Sequence, residues 1–210
     1  MNLKKTTQIV LFFLLTTVTW AQEIYIETGK ASTSFDYKDS EGSSLDNLYA
    51  TTHSFLAMGY KTKVFNEKII AGLGVAYSGY GATGSDNAIE HIMAWDANYL
   101  EFNLGLDYRL FNINKAAFYA KGAVATGVLL EGTQTLNDEI IDLKGVDDFK
   151  NPMISYKAGA SVLYPVANDL SFYIQYMYGK SLNLSNSADG ESLKIKSNNI
   201  SFGVVIKLLK

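Results

Sequence analysis

Residues able to do chemistry are few in this chain and widely spaced. It has two histidines, His53 followed by Ser54, and His91 preceded by Glu90. A histidine beside a serine suggests a base that activates a nucleophile for acyl transfer. Neighbours on an extended strand point to opposite faces, however, so His53 and Ser54 cannot share a hydrogen bond there. No third residue completes a site around either histidine, so no catalytic residue is assigned and the chain is not expected to be an enzyme. Residues 131–150 hold Glu131, Asp138, Glu139, Asp142, Asp147 and Asp148. Their spacing matches no calcium-loop template. The expectation is a solvated acidic loop, whose carboxylates could bridge a divalent ion to lipid phosphates. There is no cysteine, glycine-rich phosphate loop or Cys/His cluster, so neither a metal nor a cofactor is expected.

The remaining ionisable side chains share a different property, a common parity along alternating segments. In residues 100–110 (LEFNLGLDYRL), Leu100, Phe102, Leu104, Leu106, Tyr108 and Leu110 face one way, while Glu101, Asn103, Gly105, Asp107 and Arg109 face the other. Residues 170–184 and 200–208 repeat this period-two pattern, the mark of strands. Eight such segments span roughly 23–37, 50–64, 68–81, 94–111, 116–130, 152–165, 169–185 and 192–209. Tight polar turns (VFNEK at 64–68, FNINK at 111–115, PVANDL at 165–170) alternate with longer connections at 38–49, 82–93, 131–151 and 186–191. The last hairpin, around Ala188, Asp189 and Gly190, is expected to carry its strands beyond the membrane.

Strands with one wholly apolar face must close on themselves in lipid, because hydrocarbon offers no partner to an open edge. The expected fold is therefore all-β, an eight-stranded antiparallel up-and-down transmembrane β-barrel. Tyr60, Tyr77, Trp95, Tyr99, Tyr108, Tyr156, Tyr164 and Tyr178 are expected to form two interfacial girdles. A soluble β-sandwich is the alternative architecture.

An eight-stranded barrel is just wide enough for its own side chains to fill it. Its expected lumen network consists of Glu27, Lys61, Glu101, Asp107, Arg109, Lys121 and Lys157, with Lys63 and Lys207 also facing inward. Buried charges need partners. If Ser43 and Ser44 cap the first hairpin, Glu27 lies opposite Lys61, and Asp107 comes near Lys121 across the turn at 112–114.

The N-terminus supplies the address. Lys4 and Lys5 precede an apolar run (IVLFFLLTTV, 9–18), and Thr19-Trp20-Ala21 offers a cleavage site, the layout of a secretory signal peptide. Residues 1–21 are expected to be removed, leaving 22–210 as one barrel domain. Loss of Lys4 and Lys5 leaves 16 basic against 21 acidic residues, a formal charge of −5, which argues against a nucleic-acid partner.

This layout, from the Thr-Trp-Ala-Gln region to the final strand Ile200-Ser201-Phe202-Gly203-Val204-Val205-Ile206-Lys207-Leu208-Leu209-Lys210, resembles the small outer-membrane barrels of the OmpA/OmpX type. The resemblance implies a bacterial outer-membrane location with periplasmic termini, and partners in outer-membrane lipids and the outer-membrane assembly machinery. Final strands of that class commonly end on an aromatic residue, whereas this chain ends Leu-Leu-Lys. The expected function is a structural or surface-interaction barrel with a plugged lumen, its loops open to an extracellular partner. The rivals are a small channel for hydrophobic or ionic solutes and a lipid-modifying enzyme using His53.

Overall fold

The computed structural model describes residues 23–38, 40–44, 48–65, 68–86, 91–136, 139–184, 190 and 192–208. The expected signal peptide, Asp138, and Ala188 and Asp189 of the last hairpin lie outside them. The strands are β1 (Glu23–Lys38), β2 (Leu48–Phe65), β3 (Ile69–Asp86), β4 (His91–Ile113), β5 (Ala116–Leu136), β6 (Glu139–Asp142), β7 (Met153–Pro165), β8 (Leu170–Ser181) and β9 (Ser192–Lys207). All pair antiparallel, and every one but the short β6 belongs to a closed ring of eight in which β9 returns to β1. Closure leaves the ring with no open edge, which is what hydrocarbon demands. Glu23 pairs with Lys207, so the first and last described strands begin and end at the same mouth.

The ring is strongly staggered. Following cross-strand partners from Glu23 through Lys61, Gly72, Gly105, Ala123, Lys157, Gly179 and Ser197 returns to β1 at Thr33, ten residues further along. Ten residues at ~3.3 Å each, set against eight strand spacings of ~4.8 Å, tilt the strands by about 40°.

Period-two alternation sorts the side chains. Leu73, Val75, Phe102, Leu104, Leu106, Val124, Ile174, Ile200 and Phe202 point outward and are exposed, whereas Glu27, Glu101, Asp107, Gln175 and Asn199 point inward and are buried. That is the reverse of a soluble sandwich, whose apolar face would be the buried one. It defines a transmembrane barrel. Six of the expected girdle residues face outward: Tyr77, Tyr156 and Tyr178 toward one end, Tyr60, Tyr108 and Tyr164 toward the other. The other two do not. Tyr99 is buried inside the barrel and Trp95 packs beside it, because both share the parity of Glu101.

Three connections depart from expectation. The expected loop at 82–93 is mostly strand, with β3 and β4 paired as far as Asp86 and His91; Ala82 and Ala97 are small enough to be packed completely inside that extension. The expected acidic loop continues β5 to Leu136, folds back as β6, and passes through a 3-10 turn (Leu143–Gly145) into a short helix, α1 (Asp147–Lys150). In the last hairpin, β8 stops at Ser181. There Ser181 Oγ and Asn183 Oδ1 accept from the backbone N–H groups of Ile195 and Leu193, and Leu184 N donates to Leu193 O, so side chains and one backbone bond continue the pairing. β9 is prolonged instead by β1, up to the Lys38–Ser192 pair.

Leu104 is 57% exposed, midway along the apolar run of β4. Leu104→Lys should lower unfolding free energy in lipid vesicles by about 2–4 kcal/mol, the cost of a lysine on the lipid face near midplane. Denaturant titration measures it; a cost no greater than that of Val166→Lys in the β7–β8 turn would contradict a lipid-facing wall.

Candidate functional site

Polar side chains fill the lumen in layers, and glycines make the room. Gly203 of β9 pairs with both Glu27 of β1 and Tyr173 of β8. Having no side chain, it lets the Tyr173 ring lie across β9, and the phenol donates to Glu27 Oε2 at 2.6 Å. A Cβ on Gly203 would stand 2.3 Å from that ring. In the same way Tyr25 crosses Gly59 to Gly74, where an added Cβ would meet its hydroxyl at 2.1 Å. Gln175 Nε2 also donates to Glu27.

Beside this lies a second cluster. Lys61 Nζ is 2.9 Å from Asp107 Oδ2, and Lys121 Nζ is 3.4 Å from Asp107 Oδ1. Asp107 and Lys121 are direct cross-strand partners. The Lys61 ammonium also lies over the Tyr25 and Tyr173 rings, 5.2 and 5.1 Å from their centroids, and Lys121 lies 5.5 Å from that of Tyr173. Two carboxylates thus face two ammonium groups, with aromatic faces sharing the positive charge.

Toward the loop end, Glu101 is 0% exposed. It accepts from Lys157 Nζ at 2.7 Å, from the Tyr80 hydroxyl at 2.5 Å and from Ser78 Oγ at 3.3 Å. Thr33 Oγ1 donates to Gly81 O and accepts from Gly81 N, each at 2.8 Å. Between the two charged layers is a cavity of about 110 Å³ lined by Glu27, Lys61, Asp107, Lys157, Gln175 and Asn199, among others. It is polar enough and large enough to hold several waters at ~30 Å³ each.

An apolar cap packs at the loop end among the described residues. Leu143 of the 3-10 turn and Phe149 of α1 fold into the mouth, against Phe35, Tyr80, Tyr99, Met153, Leu193 and Ile195. Leu143 is 0% exposed and Phe149 5%. The acids of this segment play local parts. Asp142 Oδ1 accepts from Lys144 N at 2.9 Å and caps the 3-10 turn. A hydrogen bond from Lys150 holds the Asp147 carboxyl below the usual carboxylate range. Glu131 is not in the loop at all: it stands on β5, where Tyr77 and Asn98 donate to it.

Of the sequence-derived set, Lys61, Asp107 and Lys121 come together, and Glu101 meets Lys157. Glu27 does not lie opposite Lys61. It pairs with Ala57, and Glu23 takes the place facing Lys61. That register centres on Gly42, which adopts φ +83°, rather than on the serines; glycine enters this region without a steric penalty. Arg109 lies nearer the strand-terminus mouth, in a separate cavity with Lys63 and Lys207. Sequence reasoning missed Tyr25, Ser78, Tyr80, Tyr173 and Gln175 as partners, although parity puts each on the lumen face. His53 turns into the lumen, with Nε2 2.8 Å from Thr51 Oγ1, while Ser54 faces outward and accepts from Lys30.

No protein-family model and no curated protein matches the chain. Solved structures do. The outer membrane protease OmpT from Escherichia coli superposes with a TM-score of 0.51 at 9% identity, covering 91% of this chain and 98% of that one. Neisserial surface protein A gives 0.49 at 11% identity, covering 88% and 97%. The outer membrane protein OprG from Pseudomonas aeruginosa gives 0.46 at 15%, covering 90% and 97%. At such identities the likeness is one of fold.

Two predictions follow from the lumen geometry. Asp107→Asn removes the carboxylate that contacts both buried ammonium groups and should destabilise by about 3–5 kcal/mol, whereas Lys61→Met with Asp107→Leu should cost much less; vesicle unfolding curves separate the two. Gly203→Ala should displace Tyr173 and cost at least ~1–3 kcal/mol through the lost bond to buried Glu27. An unchanged unfolding midpoint would contradict the packing described.

Proposed function

We propose that this chain is an integral outer-membrane barrel with a structural and surface-interaction role, and that its lumen is sealed. One observation carries the proposal. A path along the axis meets the Lys61–Asp107–Lys121 layer, then the Lys157–Glu101 layer, then the cap built on Leu143 and Phe149. Charges neutralised at contact distance hold their side chains in place across the lumen, which supports a sealed interior.

In this proposal the termini are periplasmic, and the loop end with its cap faces the exterior. The apolar wall contacts outer-membrane lipids, and the assembly machinery receives the chain after export. Recognition of an extracellular partner falls to the loops, which a rigid scaffold holds in position. No catalytic role is assigned. The one described histidine side chain turns away from the lipid, which speaks against lipid modification by His53.

Purified protein in planar bilayers should give no steady single-channel current. Large, stable currents from the unmodified chain would overturn the sealed lumen. In cells, His53→Ala should leave the lipid profile of the native membrane unchanged, and an altered profile would restore the enzyme alternative.

A further inference from the structure

We propose that the outward face of β1, β8 and β9, just beyond the apolar wall at the loop end, binds the phosphate monoester of a membrane lipid. The inference deepens the reading of the wall as a lipid contact and rests on it. On β8 the exposed outward residues Ile174, Tyr176 and Tyr178 give way to Lys180. On β9, Phe202, Ile200 and Asn198 give way to Lys196 and Lys194. Parity is fixed by the alternate residues Met177, Ser181, Leu193, Ile195 and Ser197, which are buried. On β1 the same face carries Ser34, Asp36 and Lys38, following buried Thr33 and Phe35. The ladders set Lys196 between Lys180 and Ser34, and Lys194 beside Asp36. Residues 170–178 are nine in number, about the length at which a tilted strand crosses hydrocarbon. Lys180 therefore falls where hydrocarbon gives way to headgroups.

Four ammonium groups share this surface with one carboxylate. Asp36 Oδ2 lies 2.9 Å from Lys196 Nζ and 3.6 Å from Lys180 Nζ. Lys194 and Lys38 have no acidic partner among the described residues. β8 and β9 contain no acid, and the other acids of β1, Glu23 and Glu27, have the parity of the lumen. A lysine at this level lays its apolar stem on the wall and offers its ammonium to the headgroups. A phosphate monoester brings nearly two negative charges and three acceptor oxygens, enough to bridge Lys38 and Lys194 while the Asp36 pairs stay intact. A phosphate diester brings one charge, and a zwitterionic headgroup brings none in excess. The opposite wall is different: beyond Tyr77 the outward charge on β5 is Glu131, which accepts from Tyr77 and Asn98. The phosphorylated lipid thus gathers at the seam where the barrel closes.

The test titrates dioleoyl phosphatidic acid, by mole fraction, into phosphatidylcholine nanodiscs holding the full barrel, and follows the backbone amide resonances of Lys194, Lys196 and Glu131. Phosphatidic acid should shift the two lysine amides saturably and leave that of Glu131 in place. Phosphatidylglycerol, a diester, should bind several-fold more weakly. Lys38→Gln with Lys194→Gln should weaken phosphatidic acid about tenfold or more, the scale of two lysines at a charged headgroup layer. Lys144→Gln, which removes a lysine of the 3-10 turn at the same end, should leave it unchanged. Heat-dependent gel mobility reports that each variant remains folded. Should the double variant fail to fold, added salt on the unmodified protein should weaken phosphatidic acid several-fold. An equal shift at Glu131, equal binding of phosphatidylglycerol, an equal response to inorganic phosphate, or unchanged affinity in the folded double variant or in high salt would each overturn the proposal. A barrel that fails to insert into the nanodiscs would instead overturn the lipid-contact reading beneath it.

Discussion

Backbone N–H and C=O groups in hydrocarbon have only one another to bond to, and the rest of this molecule follows from satisfying them. The β1–β9 seam does so across sixteen residue pairs, from Glu23–Lys207 to Lys38–Ser192. Once the ring is closed, its size is set by eight strands and a ten-residue stagger. That interior is too narrow for a wide channel and too wide to be filled by aliphatic side chains that alternate with an apolar exterior. Long polar side chains lying crosswise solve the problem. Tyr173 over Gly203 and Tyr25 over Gly59 are bracing members, and the glycines beneath them are as necessary as the tyrosines above. Charge follows the same logic, since a carboxylate enclosed here persists only with donors around it, as Glu27 and Glu101 have.

The two ends of the barrel hold different chemistry. At the loop end it is apolar, made of side chains returned to the mouth by the segment of β6, the 3-10 turn and α1. At the terminus end the ionic layer lies close to the opening and leaves a basin below it. Apolar contacts are insensitive to salt, whereas contacts between charged groups near solvent respond to it.

Much of this was legible in the sequence, for an identifiable reason. Period-two alternation is a strictly local signal, so Leu100, Phe102, Leu104 and Leu106 announce the lipid face without any knowledge of their neighbours. The inward set of Lys61, Asp107, Lys121, Glu101 and Lys157 follows by parity. Register is not local. Two serines at 43–44 looked like a turn centre, while the register centres on Gly42, and the difference moves Glu27 from Lys61 to Ala57. The cap escaped notice because residues 131–150 are conspicuous for their acids. Leu143 and Phe149 are isolated apolar residues whose burial depends on a mouth assembled from β1, β3, β4 and β9. Trp95 and Tyr99 show the limit of residue-type preference: tyrosine and tryptophan favour interfaces, but the parity they share with Glu101 decided where they went.

The seam also dictates how the molecule can be made. Glu23 and Lys207 are partners at opposite ends of the described chain, so the contact that closes the ring has nearly the greatest sequence separation this chain allows. No fragment lacking either terminal strand can finish the ladder, and each intermediate before closure carries two raw edges. Loop-closure entropy must be overcome before that contact returns anything. The barrel is thus all-or-none along its length, slow to form, and vulnerable to self-association until its first and last strands meet.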